Sequence, residues 1–98
     1  MREVLERYAD GGRHDGYPEA WYELAGGAWC CLLWAYEEID QPGRAYVMRY
    51  RGEPSTLSYH ESGNFSSWHA FDWPGEWSAE GWRALKAALP TLLLGKML

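Results

Sequence analysis

The sequence predicts an α+β fold with one or two N-terminal helices, a four-stranded antiparallel meander and a C-terminal helix packed on one face of the sheet. Three observations support this prediction. The 98 residues provide one core, so residues 1–98 are expected to form a single domain. Gly, Pro and Asn recur about every 10 to 12 residues between positions 41 and 75, a spacing typical of short antiparallel strands. Trp82, Leu85 and Leu89 then form an apolar stripe with helical spacing.

The N-terminal helices are predicted from local signals. Glu3 and Arg7 are four residues apart in the order that stabilises a helix, which favours a helix over residues 2–9. Pro18 suits the first turn of a second helix, where Glu19 would lie near the positively polarised end. These signals predict one or two helices before the sheet.

The four strands are predicted at residues 29–38, 44–51, 56–61 and 65–72. A turn at residues 40–43 would place Tyr36 opposite Val47, and a turn at residues 52–55 would place Arg49 opposite Ser58. The two pairings agree in parity and divide the side chains between two faces. One face would carry Tyr46, Met48, Tyr50, Leu57 and Tyr59, and the other would carry Val47, Arg49, Arg51, Ser58 and His60.

The last turn leaves two registers open. A two-residue loop sends Trp68 to the face of the tyrosines and His69 to the face of the arginines, and a bulged three-residue loop reverses both. In the C-terminal helix, Ser78 is the expected cap and Pro90 is expected to kink or end the helix. The apolar tail at residues 92–98 is expected to pack on the core, with a contact to a second copy as the alternative.

Composition excludes several classes of function. Fourteen acidic against nine basic residues give a net charge of -5, which disfavours binding to the phosphate backbone of a nucleic acid. The acidic excess lies in residues 1–40, and internal pairing or a polarised surface would each explain it. Adjacent Cys30 and Cys31 are poorly placed to form a disulfide with each other, and neither a leader nor a membrane span is apparent. We therefore expect a cytoplasmic protein with no membrane partner.

No motif assigns a reaction. Metal-ligand spacing, a nucleophile motif and a phosphate-binding glycine loop are all missing from the sequence, so no metal, cofactor or catalytic residue is predicted. One enzymatic alternative stays open. His60 and His69 would serve a small hydrolase or metal-dependent enzyme if the two-residue turn brought them onto one face.

Protein binding is the remaining class. The chain has seven Trp, seven Tyr and seven Arg but only two Lys, which is the bias of protein interfaces. We expect a small acidic domain that binds another protein without catalysis, as an inhibitor or immunity-type factor of the kind that phages and mobile elements encode. A homo-oligomer joined through the C-terminal tail is a further alternative. The candidate binding residues are Arg49, Arg51, Ser58, His60, Trp68, His69, Trp73 and Trp77.

Overall fold

The fold is a five-stranded antiparallel sheet with one long helix across one face. The computed structural model describes residues 1–7, 17–35, 43–59, 61–63 and 65–96. The elements are β1 (Arg2–Arg7), β2 (Glu19–Glu23), a 3-10 turn (Ala25–Gly27), β3 (Trp29–Ala35), β4 (Arg44–Tyr50), β5 (Ser67–Asp72) and α1 (Ala79–Lys96). Each strand pairs with the next in chain order. The predicted α+β class, the meander and the C-terminal helix are therefore confirmed.

The two N-terminal helices and the count of four strands are wrong, because the predicted helical segments form β1 and β2. Tertiary partners outweigh the helical spacing of Glu3 and Arg7. Arg7 lies 3.4 Å from Glu19 across the sheet, and Glu3 lies 2.9 Å from Lys86 of the helix. Strand β2 is covered on both faces, so apolar residues do not alternate with polar ones, and the period-two signal of a strand is lost.

Strands β3 and β4 lie where the sequence predicts strands, but their register differs by four residues. Val47 lies opposite Leu32 and not opposite Tyr36. Tyr36 and the predicted turn at residues 40–42 lie outside the described residues. Because a shift of four is even, side chains keep their faces. Tyr46, Met48 and Tyr50 accordingly share the predicted face, away from the helix.

The predicted strand at 56–61 is wrong. Residues 51–66, called the covering segment here, contain no strand among those described, and β4 pairs directly with β5. Arg49 is therefore opposite Ser67 rather than Ser58. The covering segment crosses the sheet face opposite the helix, where Leu57 and Tyr59 pack against the buried cluster. These two side chains reach the predicted face from a loop and not from a strand.

The helix covers the other face, as predicted. Trp82, Leu85 and Leu89 are buried there against β2, β3 and β4. The Ser78 hydroxyl caps the helix by accepting a hydrogen bond from the Gly81 amide at 2.9 Å. The possibility that Pro90 ends the helix is wrong, since the helix continues to Lys96.

The beginning of the apolar tail is helical and lies partly against the core. Leu92 and Leu93 pack on the buried cluster beneath the helix, whereas Leu94 is 66% exposed. Residues 97–98 lie outside the described residues. Within the part of the chain that the structure describes, no helix is both long and apolar enough to cross a membrane.

Several acidic residues of the N-terminal part have internal partners. Glu3 and Glu6 both contact the Lys86 ammonium, and Glu23 pairs with Arg2. Burial lowers the pKa of Lys86, but its hydrogen bonds to the two glutamates outweigh that effect and leave the pKa raised. Part of the acidic excess thus stabilises the junction between β1 and α1.

Candidate functional site

The two edges of the sheet differ in how well they are protected. Edge strand β1 has four charged residues among six and an irregular register between Glu3 and Leu5. Edge strand β5 has the sequence SWHAFD, a continuous register with β4, no proline and no lysine. Charges and irregularities are the features that keep natural edge strands from pairing with other chains. Among the residues that the structure describes, only β4 pairs with β5, and we therefore call β5 the open edge of this sheet.

The hydrogen bonds between β5 and β4 show which backbone groups of β5 point away from the sheet. The Trp73 amide donates to the Gly43 carbonyl at 2.6 Å, one step beyond the pair Arg44 and Asp72. Hydrogen-bonded pairs alternate along an antiparallel ladder. The amides and carbonyls of Trp68, Ala70 and Asp72 consequently point away from β4, where a further strand would pair.

Gly43, which precedes β4, lies beside the end of β5 at a position that requires glycine. Gly43 has a φ of +72°, and a Cβ atom at this position would lie 2.8 Å from the Cα atom of Pro74. A side chain here would both strain the backbone and displace the segment that follows β5. The close contact fixes the C-terminal end of the open edge.

An aromatic patch lies beside the open edge on the face opposite the helix. Trp68 is 53% exposed and Phe65 is 44% exposed. Tyr46 is half-buried and packs against Trp68, with 6.2 Å between the ring centroids. Met48 is directly opposite Trp68 in the register. We call these four residues the aromatic patch.

A pocket of about 500 Å³ lies at the other end of β5. Phe71, Trp73 and Leu92 line it from the helix side of the sheet, since all three pack against the cluster beneath the helix. The lining is completed by Arg44, Ala70 and Asp72, which the register places on the face away from the helix, and the charged groups of Arg44 and Asp72 are 3.8 Å apart. The pocket thus has an apolar wall on the helix side, and the exposed Asp72 carboxylate lies at its border.

The structure separates the candidate residues that the sequence brought together. Arg49 and His69 lie on the helix side of the sheet, whereas Trp68 lies on the opposite side. Arg51 is exposed in the covering segment, and Ser58 accepts two backbone hydrogen bonds in a turn of the same segment. Of the two registers left open, the structure has the side-chain faces expected for the two-residue loop: Trp68 is on the face of the tyrosines and His69 is on the face of Arg49. These faces result from the pairing of β5 with β4.

His60 lies outside the described residues, so its relation to His69 stays a prediction. No group of three or more His, Cys, Asp and Glu side chains is placed to hold a metal ion among the residues that the structure describes. Comparison with protein-family models, with curated proteins and with solved structures found no match to this chain.

Trp73 and Trp77 have packing roles in addition to any binding role. The Trp73 carbonyl accepts a hydrogen bond from the Trp34 indole at 3.0 Å, and its own indole donates to the Gly81 carbonyl at 3.3 Å. Trp77 packs on Trp34 with 5.9 Å between ring centroids. Of the three clustered tryptophans, Trp68 is the one that exposes most of its surface.

The two cysteines are free and buried, on opposite faces of β3. Burial raises the pKa of the Cys30 thiol to about 12, against a smaller lowering by Arg49. Burial also raises the pKa of Cys31 well above its usual value, and nearby Glu19 adds to this. Neutral, inaccessible thiols are poor nucleophiles.

Sequence reasoning missed Ala70, Asp72, Phe65 and Arg44 as members of a site. Their role depends on β5 being an edge strand that pairs with β4. The strand predicted at 56–61 would instead have separated β4 from β5. One signal was available in the sequence: the segment SWHAFD has none of the Lys or Pro residues that protect an edge.

Proposed function

We propose that this chain is a small, non-enzymatic protein-binding domain that docks through β5 and the aromatic patch. One observation carries the proposal: an unprotected edge strand lies next to a tryptophan that is 53% exposed. A partner segment that adds a strand to this edge would gain main-chain hydrogen bonds, and the patch would supply apolar contact. Trp and Tyr are also the residues that most often dominate binding energy at interfaces.

The biological role we propose is that of a cytoplasmic inhibitor or immunity-type factor, encoded by a phage or a mobile element. Such factors act by covering a partner surface, and they need no catalytic group of their own. The net charge of -5 supports a partner with a basic surface, because opposite charge accelerates association.

The test compares two variants of the open edge with a matched variant of the protected edge. Trp68→Lys removes the exposed indole, and Ala70→Pro removes an outward amide that bonds to none of the described strands. Val4→Lys is the control, since Val4 is 37% exposed on β1. The wild-type chain is immobilised on a resin and incubated with a lysate of its source organism. The protein that it captures is then purified, and its affinity for each variant is measured by calorimetry.

We expect Trp68→Lys and Ala70→Pro each to weaken binding at least about tenfold and Val4→Lys to leave it unchanged. Circular dichroism must show that all three variants fold. A charge-reversed Arg49→Glu/Arg51→Glu variant tests the arginines as the binding surface. Loss of binding in that variant, with the two β5 variants unaffected, would overturn the proposal in favour of the arginine surface.

A further inference from the structure

We propose that the segment bound at β5 is an antiparallel strand with a basic side chain opposite Asp72 and, at the next position, a large apolar side chain that enters the 500 Å³ pocket. This inference rests on the proposed function and specifies the chemistry of the partner. The first, second and fifth of its five positions each follow from one feature of the edge.

The backbone sets the length and direction of the bound strand. Outward groups at Trp68, Ala70 and Asp72 span five residues, so a segment of five residues satisfies them. Antiparallel pairing is slightly more stable per residue than parallel pairing, and every other pair in the sheet is antiparallel. In this arrangement the first position of the bound strand lies opposite Asp72 and the fifth lies opposite Trp68.

Charge selects the first position. The Asp72 side chain is 91% exposed, and its ion pair with Arg44 is long, at 3.8 Å. The second carboxylate oxygen can therefore accept a hydrogen bond from a Lys or Arg on the outer side of β5. Opposite charges directly across an antiparallel pair are stabilising, and the net charge of -5 acts in the same direction.

Shape selects the second position. Side chains directly opposite each other in an antiparallel pair lie on the same face. The residue opposite Phe71 thus points to the helix side, where Phe71, Trp73 and Leu92 line the pocket. These walls are apolar, so a large apolar side chain is the one that fits.

The aromatic patch selects the fifth position. Its residue lies opposite Trp68 and beside Tyr46, on the face away from the helix. Ala70 separates this contact from Asp72, and its small side chain leaves the third position unconstrained. The resulting pattern is basic, large apolar, any, any, apolar.

The test selects binders from a library of random heptapeptides displayed on phage, with the full-length chain as bait. Enriched sequences are synthesised and their affinities are measured by calorimetry. We expect the basic and apolar residues to be enriched as adjacent positions. Replacing the apolar residue by Ala should weaken binding about tenfold or more, as loss of a buried side chain at an interface does.

A change of charge makes the test specific. Asp72→Lys alters an exposed side chain, so the variant should fold, and it should select acidic peptides in place of basic ones. Against this variant, the original basic peptide should lose about fivefold in affinity, the size expected for one exposed ion pair. Glu53→Lys is the control, because it changes the net charge equally at an exposed position in the covering segment.

The outcomes distinguish this inference from the proposed function. Peptides that bind the edge without the pattern, or an unchanged preference in Asp72→Lys, would overturn the inference while leaving strand addition intact. Enrichment of copies of residues 67–72, together with concentration-dependent dimerisation, would overturn it in favour of a second copy of the chain. If no peptide is enriched, the inference fails. The proposed function is then tested separately, by whether Ala70→Pro weakens binding of the partner captured from the lysate.

Discussion

Replacing Glu19 by Ala should both destabilise the protein and release the covering segment from the sheet. Glu19 is only 2% exposed although it carries a carboxylate. Its Oε2 atom accepts a hydrogen bond from the Trp21 indole at 2.7 Å and another from the Tyr59 amide at 3.2 Å. The same oxygen lies 3.4 Å from Arg7, which also donates to the Leu57 carbonyl. One side chain therefore links β1, β2 and the covering segment.

The magnitude follows from the partners that Glu19→Ala leaves behind. The Trp21 indole is buried, so its unsatisfied N–H costs about 1–3 kcal/mol. The Tyr59 amide is partly buried and contributes at the lower end of that range. Arg7 is 29% exposed and can be rehydrated, so loss of its ion pair adds about 1 kcal/mol. The expected loss is about 3–5 kcal/mol, a large fraction of the roughly 5–15 kcal/mol that stabilises a typical domain.

Urea denaturation measures this loss, and the chain offers a matched control. Glu23 lies on the same strand and pairs with Arg2 of β1 at 2.6 Å, but both side chains are exposed. Glu23→Ala should therefore cost at most about 1 kcal/mol. Hydrogen exchange adds a local measurement, in which Glu19→Ala should increase exchange of the Tyr59 amide.

Equal losses for the two variants would refute the reasoning, because burial of Glu19 would then have no energetic consequence. The same conclusion would follow if the loss in Glu19→Ala fell below about 1 kcal/mol while the Tyr59 amide kept its protection.

Four further predictions concern the helix and the thiols. Leu85→Ala should cost about 2–5 kcal/mol in urea denaturation because Leu85 is fully buried, whereas Leu94→Ala, at a position 66% exposed, should cost less than about 0.5 kcal/mol. Ser78→Ala should cost about 1 kcal/mol through loss of the helix cap, and Ser78→Asp should restore most of it. At pH 8, Cys30 and Cys31 should react with a disulfide reagent only as fast as the protein unfolds. Because the pKa of Cys30 is about 12 in the folded state and 9.0 is its ordinary value, the free energy of unfolding should fall as pH rises from 9 towards 12.

Each of these predictions has a result that contradicts it. Similar losses for Leu85→Ala and Leu94→Ala would mean that the helix does not pack as described. An unchanged free energy of unfolding in Ser78→Ala would show that water replaces the hydrogen bond of the cap. Thiol labelling faster than unfolding would show that the thiols are accessible. Stability that does not change above pH 9 in the wild type, or that falls equally in Cys30→Ala, would show that Cys30 does not contribute to the pH dependence.

Part of the candidate site was predictable and part was not. Trp68 was singled out from the sequence, and it is the exposed tryptophan beside the open edge. Trp73 and Trp77 were singled out for the same reason, yet both also pack at the start of the helix. Composition identifies aromatic residues but cannot tell which of them are covered, since covering depends on residues distant in the chain. The pairing of Arg49 with Ser58 failed for the same reason: a turn signal at residues 52–55 does not distinguish a tight hairpin from the start of a long loop.

The sequence by itself determined the features that depend on neighbours within a few residues. These are the apolar run that forms β3, the turn signals that precede β4 and follow β5, the helix with its cap at Ser78, and the parity that groups Tyr46 with Met48 and Tyr50. The tertiary structure decided that the segments of β1 and β2 are strands, that the covering segment lies on the sheet, and that β5 is an open edge. The physical reason is that the free energy of pairing and burial on both faces of a sheet comes from residues far apart in sequence, and it exceeds the weak local preference for a helix.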